Sequence, residues 1–484
     1  MYLSSLFLIA PDHFRISRLF LKLLTLIYFA AFYSLGGQMA GLVGPDGILP
    51  FQEVLDSAFQ RHGGVSWLMI PSLFWLNSDA ITLTATAYIG CLFALLLLFG
   101  KLERLSLILL FILYLSLHHA GQFFLNFQWD YLLLETGFLA IFIVNGPPRI
   151  IIILFHLLLF RLRFLSGMSK VISGDPSWSG LTALNHYFET QPLPHVGAWY
   201  AHQLPDWLLQ AGTAFTLFVE LLVPFFIFLP RPFRLFAAAV TILIQLLIIA
   251  TSNHNFINLL TILLCLFLLD DRLIQGIKAR FLNIDIIDAQ STLRVNRSKV
   301  VILSLVFIII FSTSIVSAFK MVVQKPLPSP WDQVLVQVQY FGIGNAYHVF
   351  PTMQTERQEL EIQGSVDGKE WKSYQFSYKP MALDQTPPFI VPHQPRLDWM
   401  IWFVPAQNME MNYWFNKFMM QLWRNEKAVT ELLSHNPFKD EAPKYLRVLV
   451  YRYQFTTFEE RSQNGNWWKR IYLGEFPNVP PRRP

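Results

Sequence analysis

Charge is what this sequence has least of. Asp, Glu, Lys and Arg make up 14% of its 484 residues, against about 25% in an ordinary soluble chain. Such a composition argues against a cytosolic enzyme and against a disordered segment. The balance of 37 basic to 32 acidic residues, a net +5, is too slight to signal a nucleic-acid partner. Cysteine is scarcer still. Cys91 and Cys265 both lie inside apolar runs, which makes a disulfide framework implausible. Several catalytic signatures are missing as well. There is no G-x-S-x-G elbow, Walker loop, H-E-x-x-H or C-x-x-C, and Gly342-Ile343-Gly344 is too short to count. The histidines His118, His119, His186, His195, His202 and His254 follow no regular ligand spacing, so no metal site is expected.

What the chain does have is hydrophobic residues, 54% of the total, gathered in long Leu/Ile/Phe runs up to about Val323. Crossing a bilayer takes ~20 such residues in a helix. Spans are expected near 17–39, 81–100, 104–118, 123–145, 149–170, 207–229, 233–251, 256–270 and 299–321, those near 104–118 and 256–270 being short. Met1 to Pro11 lacks the basic start of a cleavable signal peptide. The fold class is therefore an α-helical polytopic membrane bundle of about nine spans. It is followed by a C-terminal extracytoplasmic, mainly-β (α+β) domain. The boundary falls in the proline-rich Gln324-Lys325-Pro326-Leu327-Pro328-Ser329-Pro330, dividing the chain into 1–324 and 325–484.

Loop charges set the orientation. With a cytoplasmic N-terminus, the cytoplasmic links are Lys101 to Arg104, the turn ending in Arg149, Arg231 to Arg234, and Arg272 to Lys299, and all are basic. The opposite links carry fewer cations, and nine spans put the tail on their side. Within that tail Val334 to Tyr340, Glu359 to Gly364, Leu446 to Tyr453 and Trp468 to Tyr472 read as strands. Asp367-Gly368 reads as a hairpin turn, and Asn412 to Ser434 as a helix.

Chemistry is concentrated between Arg149 and His202. Seven residues of helix drift by only ~20°, so Arg149, His156, Arg163 and Lys170 share one stripe, with Gly167 beside it where a helix or ligand can approach closely. Arg149 and Lys170 could simply mark the two ends of a span, with His156 a hydrogen-bonded core residue. That reading does not explain Arg161 and Arg163. An ionisable group inside a membrane needs a partner. Candidates are Asp130 and Glu135 in the fourth span, Asp175 just past Lys170, and Glu220 in mid-span. A desolvated lysine can act as a base, whereas a close carboxylate holds it charged. The alternative is a set of charge pairs that hold helices together. His186 and Glu189 are spaced to share a helical face. In the tail, Pro392-His393-Gln394-Pro395-Arg396-Leu397-Asp398-Trp399 is either a corner with an internal Arg396–Asp398 pair, or a surface that meets a client or caps the membrane cavity.

Several of these stretches resemble the lipase maturation factor family. They are Leu133-Leu134-Glu135-Thr136-Gly137-Phe138-Leu139, the run from Ser166 through Asp175-Pro176-Ser177-Trp178, and His186 to Pro194. In the tail they are Pro392 to Trp399, Asn436-Pro437-Phe438, Tyr451 to Thr456 and Gly465 to Arg470. The resemblance implies a multi-pass membrane protein with an outward C-terminal domain. It would act as a maturation factor or chaperone for a secreted client such as a lipase. It also implies a home in the endoplasmic reticulum membrane with a lumenal tail, or in a bacterial inner membrane with a periplasmic one. A shorter stretch, Ser166 to Val171 followed by Trp178, is similar to the vitamin K-dependent carboxylases. That likeness implies a rival reading, a membrane enzyme with Lys170 as base on a quinone or lipid-like substrate. Arg163, His156 and Asp175 would then tune the lysine. Membrane lipid is an expected partner either way, and no cofactor is required by the first reading.

Overall fold

The computed structural model describes residues 3–274, 296–325, 329–406 and 412–477. Its helices follow the apolar runs. In chain order the bundle contains α1 (Phe14–Gly36), α2 (Ala80–Leu98), α3 (Glu103–Gly121), α4 (Gln128–Ala140), α5 (Arg149–Ile172), α6 (Asp206–Leu221), α7 (Arg231–Thr251), α8 (Ile257–Cys265) and α9 (Arg297–Val323). Among the described residues, seven helices are long and apolar enough to cross a membrane, α6 by running on to Phe228. The other two, α4 with 13 residues and α8 with 9, are shorter; at ~1.5 Å per residue they rise by roughly 20 and 14 Å. The expected run near 123–145 thus yields a short helix, which after Ala140 gives way to tighter turns over 141–145 ahead of Gly146-Pro147-Pro148. The run near 104–118, expected to be short, is a full helix of 19 residues.

Local chemistry sets the helix starts. The Asp79 carboxylate accepts from Thr82 N at 2.6 Å, and the Asn296 side chain accepts from Lys299 N at 3.1 Å. Each satisfies a backbone donor that has no partner within the helix. Proline at position 148 precedes α5 in extended conformation. α5 is the central helix, with 78% of its apolar window buried, whereas the windows of α7 and α9 are 28% buried. Leu246, Leu247 and Ile308 on those two helices are exposed, as side chains facing lipid would be.

Polar contacts sort the helix ends into two groups. At one end the start of α1 meets the starts of α3 and α5 and the end of α8. Arg18 bonds Glu103 at 2.7 Å, Arg149 N donates to Leu8 O at 3.1 Å, and Asp271 accepts from Arg15 N and Ile16 N at 2.9 Å. Arg231 at the start of α7 pairs with Asp270. At the other end many of the contacts involve the tail. Ser34 meets His393 at 2.9 Å, His119 meets the Tyr340 carbonyl at 2.8 Å, and Asn253 donates to Pro388 O at 2.8 Å.

The tail begins with α10 (Trp331–Gln339), where Val334 to Tyr340 alone suggested a strand. Its alternating valines permit a strand, but Leu335 and Val338, three apart, supply an inward helical face, with Val334 left outside. Short apolar runs are ambiguous in this way. The remaining strands fall where expected. β1 (Arg357–Ser365), β2 (Lys372–Ser373), β3 (Tyr445–Phe455) and β4 (Trp468–Glu475) form one antiparallel sheet in the order β2-β1-β3-β4. Asp367 makes the β1–β2 turn by accepting from Lys369 N and Glu370 N at 2.8 and 2.9 Å. α11 (Arg396–Ile401) starts at the proline-rich turn. α12 (Tyr413–Trp423) is half the helix expected over Asn412 to Ser434. Asn425, at φ +55°, ends it by turning the chain into the left-handed region.

Candidate functional site

Three buried ionic centres lie where the bundle meets the tail. The first joins α5 to α6. Lys170 Nζ stands 2.8 Å from Glu220 Oε2, and Arg163 Nη2 stands 3.3 Å from Oε1 of the same carboxylate. The ammonium also donates to the Val349 carbonyl at 2.8 Å and to Ser166 Oγ at 3.2 Å, and lies 5.0 Å from the Trp178 ring. Glu220 reaches this level because α6 packs against Gly167. A Cβ added there would lie 2.9 Å from both the Glu220 side chain and Leu221. The small residue does what its place on the stripe suggested.

The second centre joins α4, α5 and the stretch after α10. Arg161 pairs with Glu135, whose other oxygen accepts from Tyr347 Oη at 2.9 Å. Arg161 Nη1 donates to Asn345 O at 3.1 Å. The third joins α4 to α11. Arg396 grips Asp130 with both terminal nitrogens, at 2.7 and 2.8 Å, while Tyr114 Oη donates to the same carboxylate at 2.6 Å. The Arg396 and Asp130 side chains are 1% and 0% exposed. A buried carboxylate is tolerable only when paired and fully hydrogen-bonded, and both carboxylates of α4 meet that condition.

These positions answer the sequence readings one by one. Lys170 and Arg163 converge, and their partner is Glu220 rather than Asp175. Asp175 caps a turn instead, accepting from Ser177 N and Met353 N at 2.7 Å. His156 does not join the lysine's cluster and instead meets the Phe267 carbonyl at 2.8 Å. Glu189 accepts from Phe455 N at 2.7 Å, tying the link helix Ala183–Thr190 to β3. It also lies 3.7 Å from His202, and burial pushes its carboxyl up. His186 shares that helix, and partial burial pushes its pKa down.

The internal Arg396–Asp398 pair is not formed. Arg396 is taken by Asp130, and Asp398 accepts from Tyr378 N at 2.7 Å and Lys379 N at 3.0 Å. Burial pushes the Asp398 carboxyl up to about 6. Trp399 is buried with its ring edge-on to Trp129 at 5.2 Å, and His393 bonds Ser34. Gln394 to Trp399 are therefore buried against the end of the bundle, and Pro392 at the start of the turn is exposed.

A cavity of about 100 Å³ opens beside Lys170, bordered by Arg163, Glu220 and Trp178 and by Gln245, His254 and Asn258. Sequence reasoning missed Gln245 and Asn258, which hydrogen-bond to each other at 2.7 Å. The available signal was an amide in each of two otherwise apolar runs, Ile242 to Ile249 and Ile257 to Cys265.

Such a bundle, with a small α+β tail fastened to one end by a buried ion pair and by hydrogen bonds, defines a multi-pass membrane protein with a docked C-terminal domain. Residues 15–276 match the model of the lipase maturation factor transmembrane domain, and residues 343–478 that of the lipase maturation factor C-terminal domain. The chain belongs to the lipase maturation factor family. It is 32% identical to lipase maturation factor 2 of Xenopus tropicalis, over 93% of this chain and 80% of that protein. It is also 32% identical to lipase maturation factor 1 of Mus musculus, over 96% and 86% respectively, and 30% identical to lipase maturation factor 2 of Homo sapiens, over 96% and 82%. No solved structure matches it.

Proposed function

We propose that this chain is an integral-membrane maturation factor that assists the folding or assembly of a secreted, lipase-like client. The observation that carries the reading is a match to both halves of the family, bundle and tail, along nearly the whole chain. The geometry supports it. Each carboxylate on α4 is consumed in fastening the tail to the bundle, which suits a protein that presents a fixed surface to a partner. In this reading the bundle comprises 1–324 and the docked domain 325–484. The chain passes the membrane nine times, with α4 and α8 as short passes inside the protein. The end contacts support that count, because Asp130 and Val144 of the α4 segment bond at opposite ends of the bundle. The domain faces away from the cytoplasm because the opposite end carries the basic links. In this proposal it lies in the periplasm of a bacterial cell or the lumen of the endoplasmic reticulum of a eukaryotic one.

Lys170 serves as a fixed cation in this proposal and not as a base, since Glu220, Val349 O and Ser166 surround its ammonium. The test is complementation. In cells lacking their own maturation factor, the chain should restore secreted lipase activity per unit of lipase protein. Restoration should survive Lys170→Arg, which keeps the charge and abolishes a lysine base. Failure of the wild-type chain to restore activity with any of a panel of secreted lipases, although correctly inserted, would count against the role.

A further inference from the structure

The cavity beside Lys170 carries more positive charge than its own residues neutralise. Arg163 and Lys170 bring two charges to its wall and Glu220 returns one. Three N–H donors on the same wall have no partner: Arg163 Nε, Gln245 Nε2 and Trp178 Nε1. The one acceptor left open there besides the ion-paired carboxylate is Asn258 Oδ1. Gln245 is 2% exposed and Trp178 is 5% exposed, so bulk water does not serve them. A buried donor left unpaired is costly, and an unmatched buried charge costs more. The rest of the wall, including Leu162, Leu184 and Ile248, is apolar.

We propose that this cavity binds a phosphate-type oxyanion, either the head group of an acidic lipid or the free ion. Its oxygens would accept from Arg163 Nε, Gln245 Nε2 and Trp178 Nε1, and its negative charge would balance the excess cation. A neutral carbonyl ligand would fill the donors and leave that charge uncompensated. A volume of about 100 Å³ accommodates a head group and not a whole lipid, so the acyl chains of a lipid ligand would lie outside it. The proposal does not depend on the maturation role, because binding is measured without a client.

The experiment uses the purified full chain in detergent and follows its melting temperature. Phosphatidic acid, phosphatidylcholine and inorganic phosphate are titrated separately. Phosphatidic acid should stabilise the protein more than phosphatidylcholine at equal mole fraction. Gln245→Leu removes one donor and leaves the three charges in place, so it should weaken the apparent affinity by about tenfold, the equivalent of one such bond. Arg163→Gln should weaken it further, and if that variant does not fold, Gln245→Leu decides alone. The same gain from inorganic phosphate, lost in the same variants, supports the oxyanion site and assigns its source to the free ion. Equal stabilisation by phosphatidic acid and phosphatidylcholine together with no gain from inorganic phosphate, or undiminished affinity in Gln245→Leu, overturns the proposal.

Discussion

Asp398 shows how one residue carries both a structural role and a pH dependence. Its carboxyl accepts from the Tyr378 and Lys379 backbone N–H groups, yet burial pushes it from the usual 3.8 to about 6. A group that binds its proton more tightly when folded stabilises the fold fully below its unfolded value. That contribution is lost as pH rises through the folded one. A rise of this size corresponds to roughly 3 kcal/mol lost between pH 4 and pH 7. Asparagine at 398 keeps an oxygen for Tyr378 N and Lys379 N and cannot ionise. The Asp398→Asn variant should therefore gain on the wild type as pH is raised from 4 to 7 in parallel thermal melts. Other titrating groups, such as His254, whose buried ring is pushed down to about 4, are common to both proteins and cancel in the comparison. A stability gap that does not change with pH would refute the assignment. None of this was legible in the sequence, where Asp398 stands two residues from Arg396 and invites a local pair. The pairing was decided by a helix some 270 positions earlier, which local spacing does not encode.

At the scale of elements, legibility follows period and length. The seven long spans and β1, β3 and β4 were all readable, because a sustained apolar run or a sustained alternation admits one geometry. What escaped was what tertiary packing decides. α4 gives way to turns after Ala140, and α10 is helical because it lies against the bundle end. The stripe of Arg163, Gly167 and Lys170 is the intermediate case. The face was correct, but the depth of Glu220 was not, since α6 starts beyond the end of α5. Gly167 fixes that relation, with the Glu220 and Leu221 side chains 2.9 Å from where its Cβ would stand. Gly167→Val should force α5 and α6 apart, costing about 1–3 kcal/mol as overpacking does. Moving Glu220 away from two cations adds to the loss. A melting temperature within a degree of wild type would show that the close approach is not what positions the carboxylate.

For the whole molecule the question is whether bundle and tail are one cooperative unit. All three ionic centres reach across between them, the first two through hydrogen bonds to Val349, Asn345 and Tyr347 and the third through the Arg396–Asp130 ion pair itself, which is buried on both sides. Replacing buried pairs by apolar groups is often harmless, whereas removing one partner strands a charge and costs about 3–5 kcal/mol. Arg396→Met therefore leaves Asp130 without its guanidinium at the centre of the joint and should loosen the tail selectively. The wild type should melt in one transition, with the tail resistant to protease until then. Arg396→Met should show earlier proteolysis within the tail while the bundle keeps its melting point. Arg396→Met combined with Asp130→Leu should recover much of the loss, because no charge is then stranded. If the single variant melts as one unit at the wild-type temperature, the pair is not what joins the two parts. If the client-restoring activity proposed for this chain needs a fixed tail, it should fall in the single variant and return in the double one. Loss in both, with the tail docked again in the double, would mean that Arg396 or Asp130 acts on the client directly and not through the joint.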